Sequence, residues 1–146
     1  MVVSSVFGQA SAQDSTFEGY WTTSNMTSVV KTERCEESLC GKIVWLWDVA
    51  VKGKDMRDVE NAAEARKNQP LVGLPLFSRF KKEGDAWRGR IYNPEDGRTY
   101  RATVSLRSTD ILRLKGCWGP FCLTRYWRRL SSISLPTEDQ LELQGS

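Results

Sequence analysis

Four cysteines at two equal spacings, Cys35 with Cys40 and Cys117 with Cys122, are the residues of this 146-residue chain whose type and spacing most directly suggest chemistry. Each pair encloses a turn-like segment, so a local disulfide is geometrically reasonable, and the loop-entropy argument values so short a ring at roughly 2 kcal/mol. An exported domain uses such cysteines as disulfides. Spacing alone leaves two other arrangements open: a crossed pairing that joins the first loop to the last and staples the fold, and a four-thiolate zinc site of the cytosolic kind.

Acid–base chemistry finds little support. The chain has no histidine, which removes the usual general base, the usual catalytic triads and every His-containing metal site. Glu95 with Asp96 and Glu36 with Glu37 are adjacent carboxylates, but both pairs fall in turns, where neighbouring side chains diverge instead of converging on a substrate. No catalytic residue is assigned, and no cofactor or metal is expected. A third pattern lies near the end of the folded part, where Arg125, Trp127 and Arg129 alternate. If Trp127 points inward, period two places Arg125 on the same face, where a guanidinium needs an anionic or carbonyl partner. A register shift near Cys122 would instead leave Arg125 in solvent.

The elements that must position these residues are strands. In the stretch from Trp87 to Leu106, Trp87, Gly89 and Ile91 oppose Arg88, Arg90 and Tyr92, then Tyr100, Ala102, Val104 and Leu106 oppose Arg101, Thr103 and Ser105. Period two on both sides of Asn93-Pro94-Glu95-Asp96-Gly97 is a hairpin with a bulged turn. Further strands read at Val29–Arg34, Gly41–Val49, from Leu74 through Phe80, Ile111–Gly116 and Leu123–Leu130. In Gly41–Val49 the alternation puts Ile43, Trp45, Trp47 and Val49 on one face, against Val44 and Leu46 on the other. Between Lys52 and Gln69 the pattern changes, and Asp55 or Asp58 is placed to cap a short helix through Ala65 that ends before Pro70. About eight strands joined mainly by short turns, with one short helical insert, predict an all-β antiparallel meander that either closes as a barrel or folds into a sandwich, the barrel being preferred because closure removes exposed edges.

Length predicts one domain: residues 1–16 as the remnant of a signal or a disordered N-terminus, 17–131 as the barrel, and 132–146 as a flexible tail. The small-x-small pattern Ala10-Ser11-Ala12 ahead of Gln13 is what a signal peptidase accepts, so the expected location is periplasmic or secreted. No apolar run approaches a membrane span. Net charge is +3, yet Arg79–Arg129 holds thirteen Lys/Arg against five Asp/Glu. Solvated outward strand positions are the preferred account of that excess, ahead of an anion or nucleic-acid footprint. No nucleic-acid partner is expected.

Several motifs coincide: Gly19-x-Trp21; Cys40-Gly41-Lys42-Ile43-Val44-Trp45; Arg66 with Pro70-Leu71 and Gly73-Leu74; the hairpin Gly89 to Tyr100; Leu112 to Gly116; and Trp127-x-Arg129. Together, from Phe17 to Leu130, they resemble the bacterial family called domain of unknown function 2147. The resemblance implies an exported, lipocalin-like barrel without an established biochemical role. Gly19-x-Trp21 paired with Arg129 is also similar to the wider calycin pattern, in which Trp and Arg pack at the closed end, so Trp21 and Arg129 are assigned a structural role. Arg125 resembles the closing-strand arginine that holds a carboxylate in fatty-acid-binding barrels.

The resulting expectation is a non-enzymatic exported barrel that binds a small amphipathic or lipidic ligand, with Trp45, Trp47, Phe80, Trp87, Tyr100 and Trp127 lining the cavity and Arg125 fixing a polar head. The alternative is an envelope or stress module with a filled barrel, which binds a protein partner or a second copy of itself through the basic faces or through Val44 and Leu46.

Overall fold

The computed structural model describes residues 17–23 and 26–130. The export-signal reading of residues 1–16 and the tail reading of 132–146 lie outside the described residues.

Eight strands follow one another in chain order: β1 Gly19–Thr22, β2 Ser28–Cys35, β3 Ser38–Leu46, β4 Pro75–Glu83, β5 Ala86–Asn93, β6 Arg98–Ser108, β7 Ile111–Trp118 and β8 Phe121–Arg129. Each pairs antiparallel with the next, and β1 pairs with β8, so the sheet closes into a barrel. This is the predicted meander. The connections β1–β2, β3–β4, β5–β6 and β7–β8 lie at one end of the barrel, here called the upper end, and the remaining turns lie at the lower end.

The alternation in β5 and β6 decides which side chains enter. Trp87 and Ile91 on β5 and Ala102 and Val104 on β6 are buried, while Arg88, Arg90 and Arg101 between them are exposed. Trp21, Leu39, Phe80, Trp87 and Leu112 are almost fully removed from water. Two glycines make room for the rings: a Cβ at Gly41 would stand 2.5 Å from the Phe77 ring, and one at Gly89 would stand 2.6 Å from Phe80. The Phe77 and Phe80 rings in turn lie 4.4 Å apart. Strand glycine here makes room for a ring on the neighbouring strand, Phe77 beside Gly41 and Phe80 beside Gly89.

Two local expectations are corrected. The strand at β3 stops at Leu46, and Trp47–Ala50 form a single helical turn, α1. A register shift opposite Val29/Val30 pairs Val29 with Trp45 but Val30 with Ile43, so β3 carries one extra residue and its later side chains change faces. Bulges act in this way. Trp45 therefore packs outside the barrel with Val29, Val44 and Leu130, and Trp47, edge-on to Trp45 at 6.1 Å, is exposed.

The second correction concerns the insert. No helix runs from Asp55 or Asp58 to Ala65; the segment holds one 3-10 turn, Glu64–Arg66. Asp58 does not cap a helix but is buried, accepting hydrogen bonds from Tyr92 Oη at 2.7 Å, Asn61 Nδ2 at 2.7 Å and Gln69 Nε2 at 3.0 Å. These tertiary bonds, with Gly97 closing against the Glu60 carbonyl, fasten the long connection to the outside of the β5–β6 hairpin. Local helix propensity is too weak to compete with them. None of the helices among the described residues is long and apolar enough to cross a membrane.

Candidate ligand site at the upper rim

The lower end is plugged by the segment from Phe17 to Trp21. Trp21 Nε1 donates to Thr32 Oγ1 at 3.0 Å and to Phe17 O at 3.3 Å, and Thr32 Oγ1 donates to the same carbonyl at 2.5 Å. The Arg129 guanidinium lies 4.2 Å over the Trp21 ring and donates to Glu18 O at 3.0 Å and Thr109 O at 2.9 Å. Burial pushes the Arg129 pKa down, opposed by Asp110. Gly19 fits this plug alone: its φ is +137°, and a Cβ there would stand 2.8 Å from Arg129 Nη1. The Gly-x-Trp spacing and the distant arginine are thus parts of one closure.

Above the plug, side chains fill the lumen. Phe80, Trp87 and Trp127 belong to one buried cluster with Trp21, Phe77 and Leu112, and Tyr100 packs against it. Trp87 meets Phe17 edge-on at 6.3 Å, and Arg34 lies 5.4 Å over its ring. Its Nε1 is buried with no acceptor among the described residues, a desolvation cost of about 1–3 kcal/mol. The Tyr100 hydroxyl bonds Asp96 at the upper end, which holds that tyrosine pKa above its usual range. Thus four of the six predicted lining aromatics come together, as packed core; Trp45 and Trp47 stand outside.

The upper rim differs because β1 is short. It meets β8 at Trp21↔Arg129 and Thr22↔Arg128, whereas β8 continues upward to Phe121. The lumen-facing row of β8, opposite Leu112, Leu114 and Gly116 of β7, is Trp127, Arg125 and Leu123. Trp127 is buried, but Arg125 is exposed and Leu123 is 64% exposed. Arg125 therefore keeps the inward register while its side chain reaches solvent, since the wall that would cover it has ended. Where β1 leaves β8, a cavity of about 370 Å³ opens between Thr23, Met26, Thr124, Arg125, Tyr126 and Arg128. Neither Arg125 nor Arg128 forms an ion pair within the described residues. Sequence reasoning found Arg125 but missed Met26, Arg128 and Leu123; extending its period-two row one step back from Arg125 was the available signal for Leu123.

The cysteines form Cys35–Cys40 across the β2–β3 turn and Cys117–Cys122 across the β7–β8 turn. Both bridges are local, so neither the crossed pairing nor a four-thiolate cluster is formed. Among the described residues, no three His, Cys, Asp or Glu are grouped to hold a metal ion. Glu36, Glu37 and Glu95 sit exposed in turns, and Asp96 accepts the Arg98 amide at 2.9 Å, an Asx turn.

The family described as "uncharacterized protein conserved in bacteria", DUF2147, matches residues 19–129. The chain belongs to this family. The match spans β1 to β8, including both partners of the Trp21–Arg129 closure and both disulfides. The DUF2147 barrel is similar in structure to protein HP1028 from the human pathogen Helicobacter pylori, described as belonging to the lipocalin family, with a TM-score of 0.66 and 23% identity, over 88% of this chain and 96% of that one. At that identity the likeness is one of fold. No curated protein matches the chain.

Proposed function

We propose that this DUF2147 barrel is a non-enzymatic, exported binding protein that takes a small amphipathic ligand with an anionic head, a carboxylate or phosphate. The ligand sits at the upper rim and not deep in the lumen. The observation that carries this reading is the cavity of about 370 Å³ bordered by Met26 and by two arginines that have no carboxylate partner among the described residues. Guanidinium groups recognise such heads through charge-assisted, bidentate hydrogen bonds. The exposed Leu123 on the adjoining lumen-facing row supplies apolar surface for a chain. Two disulfides suit an oxidising compartment.

Titration with dodecanoate, read by tryptophan fluorescence, tests the proposal against 1-dodecanol, which has the same chain and no charge. Dodecanoate is expected to bind in preference, and Arg125→Gln to weaken it at least about tenfold, the loss of one charge-assisted hydrogen bond. Equal uptake of acid and alcohol, or uptake of neither, would remove the reading. The second outcome favours a partner-binding module, a reading that the packed rings of Phe77, Phe80 and Trp87 in the lumen support.

A further inference from the structure

Trp118 and Phe121 face each other across the two-residue turn Gly119-Pro120, and both stand in solvent, 51% and 73% exposed. Gly119, at φ +61°, supplies the positive φ that a tight hairpin turn requires. Three restraints brace this tip: the Cys117–Cys122 bridge one pair below it, Arg101 Nη2 donating to Gly119 O at 3.2 Å, and the Arg98 guanidinium 4.5 Å over the Trp118 ring. The rings are therefore presented on a fixed hairpin. A tryptophan held in water at a tip suits the headgroup layer of a bilayer, which accepts an apolar ring with a polar edge, and Phe121 beside it adds apolar area.

Behind the tip, the outward rows of β4 to β8 form a basic wall. Lys81 is opposite Arg88, Arg88 opposite Thr103, and Thr103 opposite Lys115; Arg90 is opposite Arg101, and Arg113 lies between Ser105 and Tyr126. Like charges placed directly opposite cost stability, a cost that a polyanionic surface removes. Glu83 is the carboxylate on these outward rows, and Arg88 engages it at 3.3 Å. From Ile111 to Arg129 the sequence contains no Asp or Glu. The acidic neighbours at the upper end are Glu95 and Asp96, the latter engaged by Tyr100, and the carboxylates of the β3–β4 connection, among which Asp58 is buried against Tyr92 and Asp48 pairs with Lys52 and Lys54.

We propose that the β7–β8 tip docks the protein end-on on an anionic lipid bilayer, with Trp118 and Phe121, which extend the lumen-facing rows past Gly116 and Leu123, in the headgroup layer, and Arg101, Arg113 and Lys115, on the outward face beside the tip, reaching lipid phosphates from the other side. Charge complementarity selects this occupant. A second copy would set one basic wall against another. A single-stranded nucleic acid would use rings spread along the basic face for stacking, whereas these two rings continue the lumen-facing rows of β7 and β8, on the opposite face from Arg113 and Lys115. The docking surface is separate from the dodecanoate cavity and does not require it to be occupied.

Co-sedimentation with vesicles at low salt is the test. The full chain is expected to bind vesicles of phosphatidylcholine mixed with phosphatidylglycerol and not vesicles of phosphatidylcholine alone. Trp118→Ser with Phe121→Ser should weaken binding at least about tenfold. Arg113→Gln with Lys115→Gln should weaken it about 30-fold and flatten its dependence on salt. Both double variants remove exposed side chains, and the Cys117–Cys122 bridge and the Arg101–Gly119 bond still brace the tip once the Arg98–Trp118 contact is lost, so a folded barrel by far-ultraviolet circular dichroism is expected, and dodecanoate binding should persist in both. Equal binding to the two vesicle types, no binding to either, indifference to both double variants, or equally tight binding to a single-stranded oligonucleotide would each overturn the proposal.

Discussion

Arg129, on the last strand, lies 4.2 Å over the ring of Trp21, on the first. The contact joins the two ends of the meander where the barrel closes through only two residue pairs. A stacked guanidinium contributes about 0.5–2 kcal/mol, and its bonds to Glu18 O and Thr109 O add to that. Arg129→Ala is expected to lower the unfolding free energy by about 3 kcal/mol in urea titration. Arg129→Lys should recover less than half, because an ammonium cannot both stack and bond two separate carbonyls. Full recovery by lysine would show that charge alone matters there.

Asp58 and Tyr92 set the pH range of stability. Burial by itself would raise the Asp58 pKa, but hydrogen bonds from Asn61, Tyr92 and Gln69, with Lys67 nearby, outweigh it and hold the carboxyl below its ordinary value. Stability from this group is present above about pH 4 and is lost as pH falls through the depressed folded value. Burial and the bond to Asp58 push Tyr92 up to about 12. Its contribution is present below the ordinary tyrosine value, near 10, and is lost as pH rises from there through 12. Unfolding measured across pH should show both limbs. Tyr92→Phe should cost about 1–2 kcal/mol at neutral pH and flatten the alkaline limb.

What could be read from the sequence depended on how local the deciding interaction is. Trp87, Gly89 and Ile91 obey period two because β5 is regular and paired on both sides, so their inward placement follows from the pattern. Trp45 and Trp47 defeat the same rule, because one extra residue in β3 and a helical turn at Trp47 intervene. The inward register of Arg125 was legible; its exposure was open in the sequence only through a register shift near Cys122, which β8 does not have, and it comes instead from β1 ending at Thr22. Asp58 looked like a helix cap because its partner Tyr92 lies 34 residues away. The Trp118–Phe121 tip was hidden by starting the final strand at Leu123.

Gly89 tests how tightly the lumen is filled. A Cβ at this position would lie 2.6 Å from Phe80 Cδ1 and 3.2 Å from the Phe80 Cα, with that ring fully buried. Gly89→Ala should therefore destabilise by about 1–3 kcal/mol, the usual range for overpacking. Pairing it with Phe80→Leu should return part of that loss, giving a non-additive double-mutant cycle. Strict additivity would mean that the backbone at Gly89, not the ring, is the constraint.

The two disulfides should be separable in their consequences. Each closes a ring of similar length, so the loop-entropy model gives about 2 kcal/mol for either. Cys35→Ser with Cys40→Ser releases the lower-end turn of β2–β3, whose strands remain paired along their length to Leu46. Cys117→Ser with Cys122→Ser releases the braced tip of β7–β8, where Trp118 and Phe121 form the last pair. Both variants are expected to keep the barrel signature in far-ultraviolet circular dichroism while losing similar stability in urea. Amide hydrogen exchange should then rise at Trp118 and Phe121 in the second variant alone. The same rise in the first would mean that the bridges act on the whole barrel and not on their own hairpins.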